Sequence, residues 1–230
     1  MEPVAQTTIP LFPLAAVLLP GTPLPLHIFE PRYRQLVNDL ITDAVAGNQF
    51  GVVATKPGWT GDVRTVEQVR QVGCAALLRE VKSLPDGRFD IITRGTRRFR
   101  LLGIDDKTAP YLRADIEWLP DSVPEPRLAA LEPALVASVR AAHRRYCQAA
   151  WQREDWAEPP QETPADQLAH LVASDCLLDA EDRQRLLEQA CPVRRLRMVR
   201  TMLNREAGIL RALRAVPIPL ADLNPKSSLN

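Results

Sequence analysis

Short apolar runs separated by proline, glycine and aspartate dominate the first half of the chain. Runs rich in Val, Ile, Leu and Phe and bounded by turn-forming residues predict β-strands. They lie at Thr7 to Phe12, Ala16 to Leu19, Phe50 to Thr55, Gln71 to Val81, Arg88 to Thr93, Arg97 to Ile104 and Tyr111 to Trp118. The last run alternates apolar with charged positions, as a half-exposed antiparallel strand does. The first half is therefore predicted to be rich in β-structure.

Three segments predict the local connections within this half. Pro85-Asp86-Gly87 separates two of the runs and predicts the turn of a β-hairpin. Pro31 to Ala46 carries apolar residues at helical spacing, and its leading proline suits the first turn of a helix. The proline-broken segment Leu18 to Phe29 is predicted to be an apolar loop.

Helical periodicity begins after Pro120 to Pro126, a segment with the composition of a linker. Apolar residues then recur every three or four positions, interrupted by a second loop at Trp156 to Thr163. Asp179 is placed to cap one helix, and Pro192 to open the last one. The predicted division is a β-rich unit at residues 7–119, a helical bundle at 125–215 and a flexible tail at 216–230.

Several motifs follow one another in a fixed order. They are IPLFPLAAVLLPGTPLPLHIFEPRYRQLV (Ile9 to Val37), VGCAALL (Val72 to Leu78), SLPDGRF (Ser83 to Phe89) and GTRRFRLLGI (Gly95 to Ile104), joined in the helical half by Gln184, Leu186, Leu187, Glu188, Arg195 and Leu196. Together they resemble the amino-terminal substrate-binding domain of the Lon protease family, over about Ile9 to Arg214. The resemblance implies an α+β fold, with a PUA-like β pseudo-barrel followed by a C-terminal helical bundle.

The same resemblance implies a recognition module without catalysis. The chain ends at Asn230, where a Lon protease continues into its ATPase and peptidase parts, so we expect a free-standing domain. None of the four lysines follows a glycine, as a Walker loop requires, and no lysine lies between Lys107 and Lys226 to serve a Ser-Lys dyad. Composition leaves a Ser-His-Asp triad open, although no G-x-S-x-G elbow accompanies the three histidines. We expect no enzymatic activity and no cofactor.

Charge and composition limit the cellular location and the binding partners that we expect for this protein. A net charge of +1 creates no global field for nucleic acid or for an anionic membrane, and prolines interrupt the apolar stretch nearest in length to a membrane span. The start MEPVAQ lacks the positive region of a secretory signal, so we expect a cytoplasmic protein with reduced cysteines. His143 and Cys147 are spaced as zinc ligands often are, but cysteine is commonly buried as a small apolar residue, and we expect no metal site.

The apolar segment Leu18 to Phe29, with the adjoining Tyr33, is the candidate peptide-binding surface. Alternating proline and leucine hold an extended backbone at low entropic cost, which suits capture of unfolded or extended polypeptide. The candidate residues are Leu19, Leu24, Leu26, Phe29 and Tyr33. A protease or a chaperone would be a further partner. A loop that only covers the barrel core is the equally weighted alternative.

Arginines supply the second candidate site. Arg94, Arg97, Arg98 and Arg100 crowd one predicted strand and are the candidate phosphate-binding residues. Because PUA-like folds elsewhere bind RNA, an RNA-binding module is the second hypothesis for function. Charge pairing of the arginine-rich last helix with the acidic segment Glu154 to Glu188 explains its charge without a ligand, and we favour it. A small-molecule pocket between the two halves is the third hypothesis.

Overall fold

The computed structural model describes residues 7–150 and 156–213, and this part of the chain forms six strands and six α-helices. The strands are β1 (Thr7–Leu14), β2 (Pro23–Ile28), β3 (Gln49–Ala54), β4 (Val72–Ser83), β5 (Phe89–Asp105) and β6 (Arg113–Trp118). The helices are α1 (Pro31–Ile41), α2 (Pro126–Ala129), α3 (Glu132–Ala150), α4 (Ala165–Ser174), α5 (Ala180–Glu188) and α6 (Pro192–Leu213). The tail predicted at 216–230 lies outside the described residues.

The strands form one sheet in the order β2-β5-β4-β3-β1-β6, which closes because β5 also pairs with β6. β1 and β3 run parallel, and the other neighbours run antiparallel. Residues 89–94 of β5 pair with β2, and residues 99–105 pair with β6. Phe99, Leu101 and Ile116 belong to the apolar cluster inside this barrel and are at most 3% exposed. The barrel therefore has five strands, with β2 added at the edge.

The structure corrects the strand prediction in three places. Ala16 to Leu19 is not a strand, and the segment predicted as a loop up to Phe29 contains β2 instead. β2 lies at the edge of the sheet, and the Thr22 carbonyl just before it accepts from the Gly95 amide of β5 at 2.9 Å. By alternation along the strand, the nitrogens of Pro23 and Pro25 face away from β5, so these prolines cost no ladder hydrogen bond. The two runs Arg88 to Thr93 and Arg97 to Ile104 are one continuous strand, β5, because the chain changes its pairing partner without turning.

The structure also shows how the helices and turns begin and end. The helix predicted to reach Ala46 ends at Ile41, since Asp43 adopts a left-handed φ of 58°. The predicted hairpin turn joins β4 to β5, with Gly87 at a φ of 75°. Asp179 caps α5 as predicted, because its Oδ1 accepts a hydrogen bond from the Asp182 amide at 2.7 Å.

One apolar core joins the outer face of the sheet to the helices. It contains Phe12 and Phe50 from the strands, Leu36 from α1, and Leu168 and Val199 from the bundle. Burying this core holds the two halves together, since each covers apolar surface that the other would expose. Within residues 7–150 and 156–213, no helix is both long and apolar enough to cross a membrane.

Candidate functional site

A groove lies between β2 and the loop that joins α4 to α5. Its volume is about 750 Å³, and apolar side chains supply most of its surface. The apolar residues lining it include Val17, Leu18, Pro23, Leu24 and Pro25 on one side and Leu177 and Leu178 on the other. Leu177 is 41% exposed, so this surface, which we name the β2 groove, is open to solvent.

Hydrogen bonds hold both walls of the β2 groove. On the loop side, the Leu177 amide donates to the Tyr146 hydroxyl at 3.0 Å, and the Arg183 Nη2 donates to the Cys176 carbonyl at 2.9 Å. On the strand side, the Thr93 hydroxyl donates to the Leu24 carbonyl at 3.0 Å. Because both walls are tied to buried elements, the groove is formed before any ligand arrives.

A smaller cleft of about 250 Å³ lies at the other end of β2. Leu26, Phe29 and Tyr33 line it, and Phe29 is 60% exposed. The Tyr33 ring stacks on Phe12 with centroids 3.9 Å apart, and burial raises the pKa of Tyr33 to about 12. Tyr33 is therefore a neutral, fixed wall of this surface, which we name the Phe29 cleft.

The five predicted peptide-binding residues fall into three environments. Leu24 lines the β2 groove, whereas Leu26, Phe29 and Tyr33 line the Phe29 cleft. Leu19 is 1% exposed and lies in the core, so the structure removes it from any binding surface. Leu24 and Leu26 share one face of β2, but both are half-buried and pack on that core.

Sequence reasoning missed the second wall of the β2 groove. Leu177 and Leu178 lie in the α4–α5 loop, about 150 positions along the chain from the strand they face. Their sequence pattern, two leucines before a helix cap, predicts only the start of α5. The residues opposite β2 could be found only from the packing of the bundle on the sheet.

A third cavity, of about 670 Å³, lies beside β5 between the barrel and the bundle. Arg94, Arg97, Trp118 and His170 are among the residues that line it. The β1–β2 connection closes one side, because the Gly21 amide donates to the Gly95 carbonyl at 2.8 Å. We name this space the β5 cavity.

The four predicted phosphate-binding arginines do not form one surface. Arg98 is 4% exposed and donates hydrogen bonds to the Leu187 carbonyl at 3.0 Å and to the Asp121 carboxylate at 2.6 Å. Its role is therefore structural. The Arg100 Nη1 donates to Glu117 at 3.0 Å, and Arg100 does not line the cavity. Arg94 and Arg97 remain as the arginines that the β5 cavity presents to solvent.

The Asp121 carboxylate joins the two halves of the protein. Its Oδ1 accepts from Arg98 in β5 and from Arg195 in α6, each at 2.6 Å. Arg205 of the same helix pairs with Asp182 of α5. Arg205 therefore pairs with the acidic segment as the sequence predicts, whereas the partner of Arg195 lies outside that segment. Within residues 7–150 and 156–213, the other arginines of α6 form no ion pair, so the predicted charge pairing holds for Arg205 only.

Buried thiols account for the spacing that resembled a zinc site. The Cys147 sulfur lies 3.5 Å from the His143 Nε2, which in turn lies 2.9 Å from the Asp175 Oδ2. Burial raises the pKa of Cys147 to about 12, so its thiol stays neutral and is a poor nucleophile. No group of three or more His, Cys, Asp or Glu residues able to hold a metal occurs in the described part of the chain.

Comparison with known proteins shows to which family this chain belongs. The model of the ATP-dependent protease La (Lon) substrate-binding domain matches residues 8–205. The chain belongs to the Lon substrate-binding domain family. The Lon protease of Desulfovibrio desulfuricans is 28% identical over 205 residues, which are 88% of this chain and 22% of that protein. The Lon protease of Parabacteroides distasonis is 34% identical over 119 residues, 51% of this chain and 14% of that one. This Lon-type domain thus spans about a fifth of the relatives' length or less.

Solved structures agree with the fold. A Lon N-terminal domain protein from Xanthomonas campestris is 24% identical with a TM-score of 0.57, and the alignment covers 92% of this chain and 99% of that one. The N-terminal domain of a Mycobacterium avium complex Lon protease is 18% identical with a TM-score of 0.61, over 86% and 98% of the two chains. The predicted α+β fold, a PUA-like β pseudo-barrel followed by a C-terminal helical bundle, is confirmed.

Two motifs that carried the resemblance to the Lon family meet in the structure. Gly21 lies in the first motif and Gly95 opens the last, and the Gly95 amide donates to the Thr22 carbonyl at 2.9 Å. A Cβ on Gly95 would lie 2.2 Å from the Leu19 carbonyl oxygen, closer than atoms can approach. Only glycine lets the β1–β2 connection seat against β5 at this point.

Proposed function

We propose that this Lon-type domain recognises unfolded or extended polypeptide by burying its apolar side chains in the β2 groove. The observation that carries the proposal is the groove itself: it is apolar, open to solvent and formed by two tied walls. Membership of a substrate-binding domain family supports polypeptide as the ligand class. The domain would act as an adaptor or as a sequestering module.

Side-chain burial, rather than addition of a strand, is the mode of recognition that β2 favours. An extended peptide can add to a free sheet edge only where that edge alternates amide donors and carbonyl acceptors. Pro23 and Pro25 have no amide hydrogen, so the free edge of β2 lacks donors at these positions. Recognition through apolar contacts tolerates many sequences, as binding of unfolded chains requires.

The charges at the groove agree with an apolar ligand. Asp175, Asp179 and Arg183 are the charged residues that line it, and Arg183 already donates to the loop carbonyls. The groove therefore carries charges of both signs and presents no strongly acidic or basic surface to a ligand. Affinity should therefore change little with salt, whereas RNA, the alternative ligand, would bind far more weakly as salt rises.

Leu177→Ser tests the proposal with Ile92→Ser as its matched control. Both side chains are 41% exposed, but Leu177 lines the β2 groove and Ile92, on β5, lines none of the three cavities. Burying a whole leucine contributes about 1.5–3 kcal/mol, so covering the exposed two-fifths contributes roughly 0.6–1.2 kcal/mol. We expect Leu177→Ser to weaken binding about three- to eightfold.

Fluorescence anisotropy of labelled β-casein, an unfolded protein, measures this binding at two salt concentrations. The proposal is wrong if both serine variants bind casein like the unmodified protein or lose affinity equally. Serine at Leu24 or Leu26 would be less informative, because both side chains pack on the core and their loss would lower stability in any case.

The same proposal includes a role without catalysis. We expect no catalysis because no lysine follows a glycine, as a Walker loop requires, and no lysine lies between Lys107 and Lys226 to serve a Ser-Lys dyad. The family match is to the substrate-binding domain. A protease or chaperone that receives the bound polypeptide is the further partner that this role calls for. The cytoplasmic location inferred from the sequence stays a prediction.

A further inference from the structure

The β5 cavity lies at the place where β5 leaves β2 and joins β6. The pairing of β4 with β5 is irregular there, with one extra residue on β5 between Gly95 and Arg98. In a regular strand, Arg94 and Arg97 are three positions apart and would point to opposite faces. Both line the β5 cavity, so the bulge brings two guanidinium groups to one site.

Arg94 and Arg97 are held in place without being neutralised. The Arg94 Nε donates to the Gly21 carbonyl at 3.1 Å, which leaves its two Nη groups available. The Arg97 guanidinium lies over the Trp118 ring, 4.1 Å from its centroid. Within residues 7–150 and 156–213, neither side chain forms an ion pair. Oriented, uncompensated guanidinium groups are the usual partners of phosphate oxygens.

His170 adds a buried polar atom to the same cavity. His170 is among the residues that line the cavity and is 2% exposed, and its Nε2 has no hydrogen-bond partner among the described residues. Burial, reinforced by Arg195 and Arg98, lowers the pKa of His170 well below its usual value, so the ring is neutral. Buried polar atoms are rarely left without a partner, and a ligand or its water would supply one.

Positive charge also lies behind the cavity wall. Arg98 and Arg195 are both buried and share one carboxylate, that of Asp121. Asp121 and the exposed Asp166 are the acids that line the cavity. Three arginines and two carboxylates therefore line a half-enclosed space of a size that suits a small molecule, and Arg195 adds a fourth positive charge behind its wall.

We propose that the β5 cavity binds a small phosphate-bearing ligand whose phosphate lies between Arg94 and Arg97. Two separate guanidinium groups meet the phosphate, which favours a doubly charged oxyanion over a single carboxylate. The cavity volume of about 670 Å³ leaves room beside the phosphate for an organic body next to Trp118 and His170. This site is separate from the β2 groove, so neither proposal depends on the other.

Isothermal titration calorimetry of the full chain with inorganic phosphate, glucose 6-phosphate and glucose tests the site. The variant is Arg94→Gln with Arg97→Gln, and the control is Arg100→Gln, on the same strand but outside the cavity. We expect the double variant to weaken binding of the phosphorylated probes at least about tenfold, and the control less than about twofold. Glucose should not bind.

Two outcomes support the site and distinguish its ligand. Tighter binding of glucose 6-phosphate than of phosphate assigns it to a phosphorylated small molecule, and equal binding assigns it to phosphate alone. Absence of binding by the unmodified protein, or an equal loss in Arg100→Gln, overturns the proposal. Within residues 7–150 and 156–213, the Arg97 side chain makes its contact with Trp118 and no hydrogen bond, so Arg97→Gln replaces the double variant if that variant does not fold.

Discussion

Replacing Asp121 by asparagine should destabilise the protein through the two arginines that share its carboxylate. The Asp121 Oδ1 accepts from Arg98 and from Arg195 at 2.6 Å each, and its Oδ2 accepts a third bond from Arg195 at 3.2 Å. Arg98 is 4% exposed and Arg195 is 1% exposed. Asparagine keeps one acceptor oxygen, removes the negative charge and turns an NH₂ group toward a guanidinium.

The size of the effect follows from the burial of the partners. Removing one member of a buried ion pair costs about 3–5 kcal/mol. The Asp121 side chain is itself 30% exposed, and the arginines keep carbonyl acceptors at Leu187 and Gln189, so the lower end applies. We expect a loss of about 3 kcal/mol in the free energy of unfolding. For a chain of this length, that corresponds to a Tm lower by roughly 6–12 °C.

Urea unfolding followed by circular dichroism measures the loss, and Glu117→Gln is the matched control. The Glu117 side chain is 29% exposed and pairs with Arg100 at 3.0 Å, but Arg100 is 50% exposed. An ion pair of this kind contributes about 0–1 kcal/mol. The two variants lose the same charge at nearly the same exposure, and they differ in the burial of the partner. Equal destabilisation by both would refute the reasoning.

Two further predictions concern the interior. Burial beside Arg98 and Arg195 keeps the pKa of His170 low in the folded protein. As pH falls below about 6.5, His170 is therefore protonated in the unfolded chain but stays neutral in the folded one, which favours unfolding. Between pH 7.5 and pH 5.5 the free energy of unfolding should therefore fall by roughly 1.4 kcal/mol more in the unmodified protein than in His170→Gln. Urea unfolding at several pH values measures this, and an equal fall in both proteins would contradict the prediction. Gly73→Ala places a Cβ 2.4 Å from Phe99 Cζ inside the barrel. Urea unfolding should therefore show a loss of about 1–3 kcal/mol in the free energy of unfolding. An unchanged unfolding midpoint would mean that the side chains inside the barrel move to accommodate the methyl group.

The sequence by itself determined the elements whose cause is local. The alternation in Tyr111 to Trp118, the Pro-Asp-Gly turn and the Asp179 cap are set by neighbouring residues, and each appears where the sequence predicts it. The order of the motifs also determined the family and hence the α+β fold. Backbone preference and side-chain periodicity act over a few residues, so they can be seen without the rest of the chain.

The tertiary structure alone decided where the candidate sites lie. The prolines of Pro23–Ile28 disfavour a β-strand, yet this segment forms the strand β2 because it pairs with β5. Leu177 lies opposite Leu24 in the groove, and Arg98 points inward to Asp121. A single extra residue in β5 brings Arg94 and Arg97 to the same cavity. Each of these placements comes from contacts between segments distant in sequence. Such contacts depend on how the sheet closes and how the bundle packs on it, which no local pattern records.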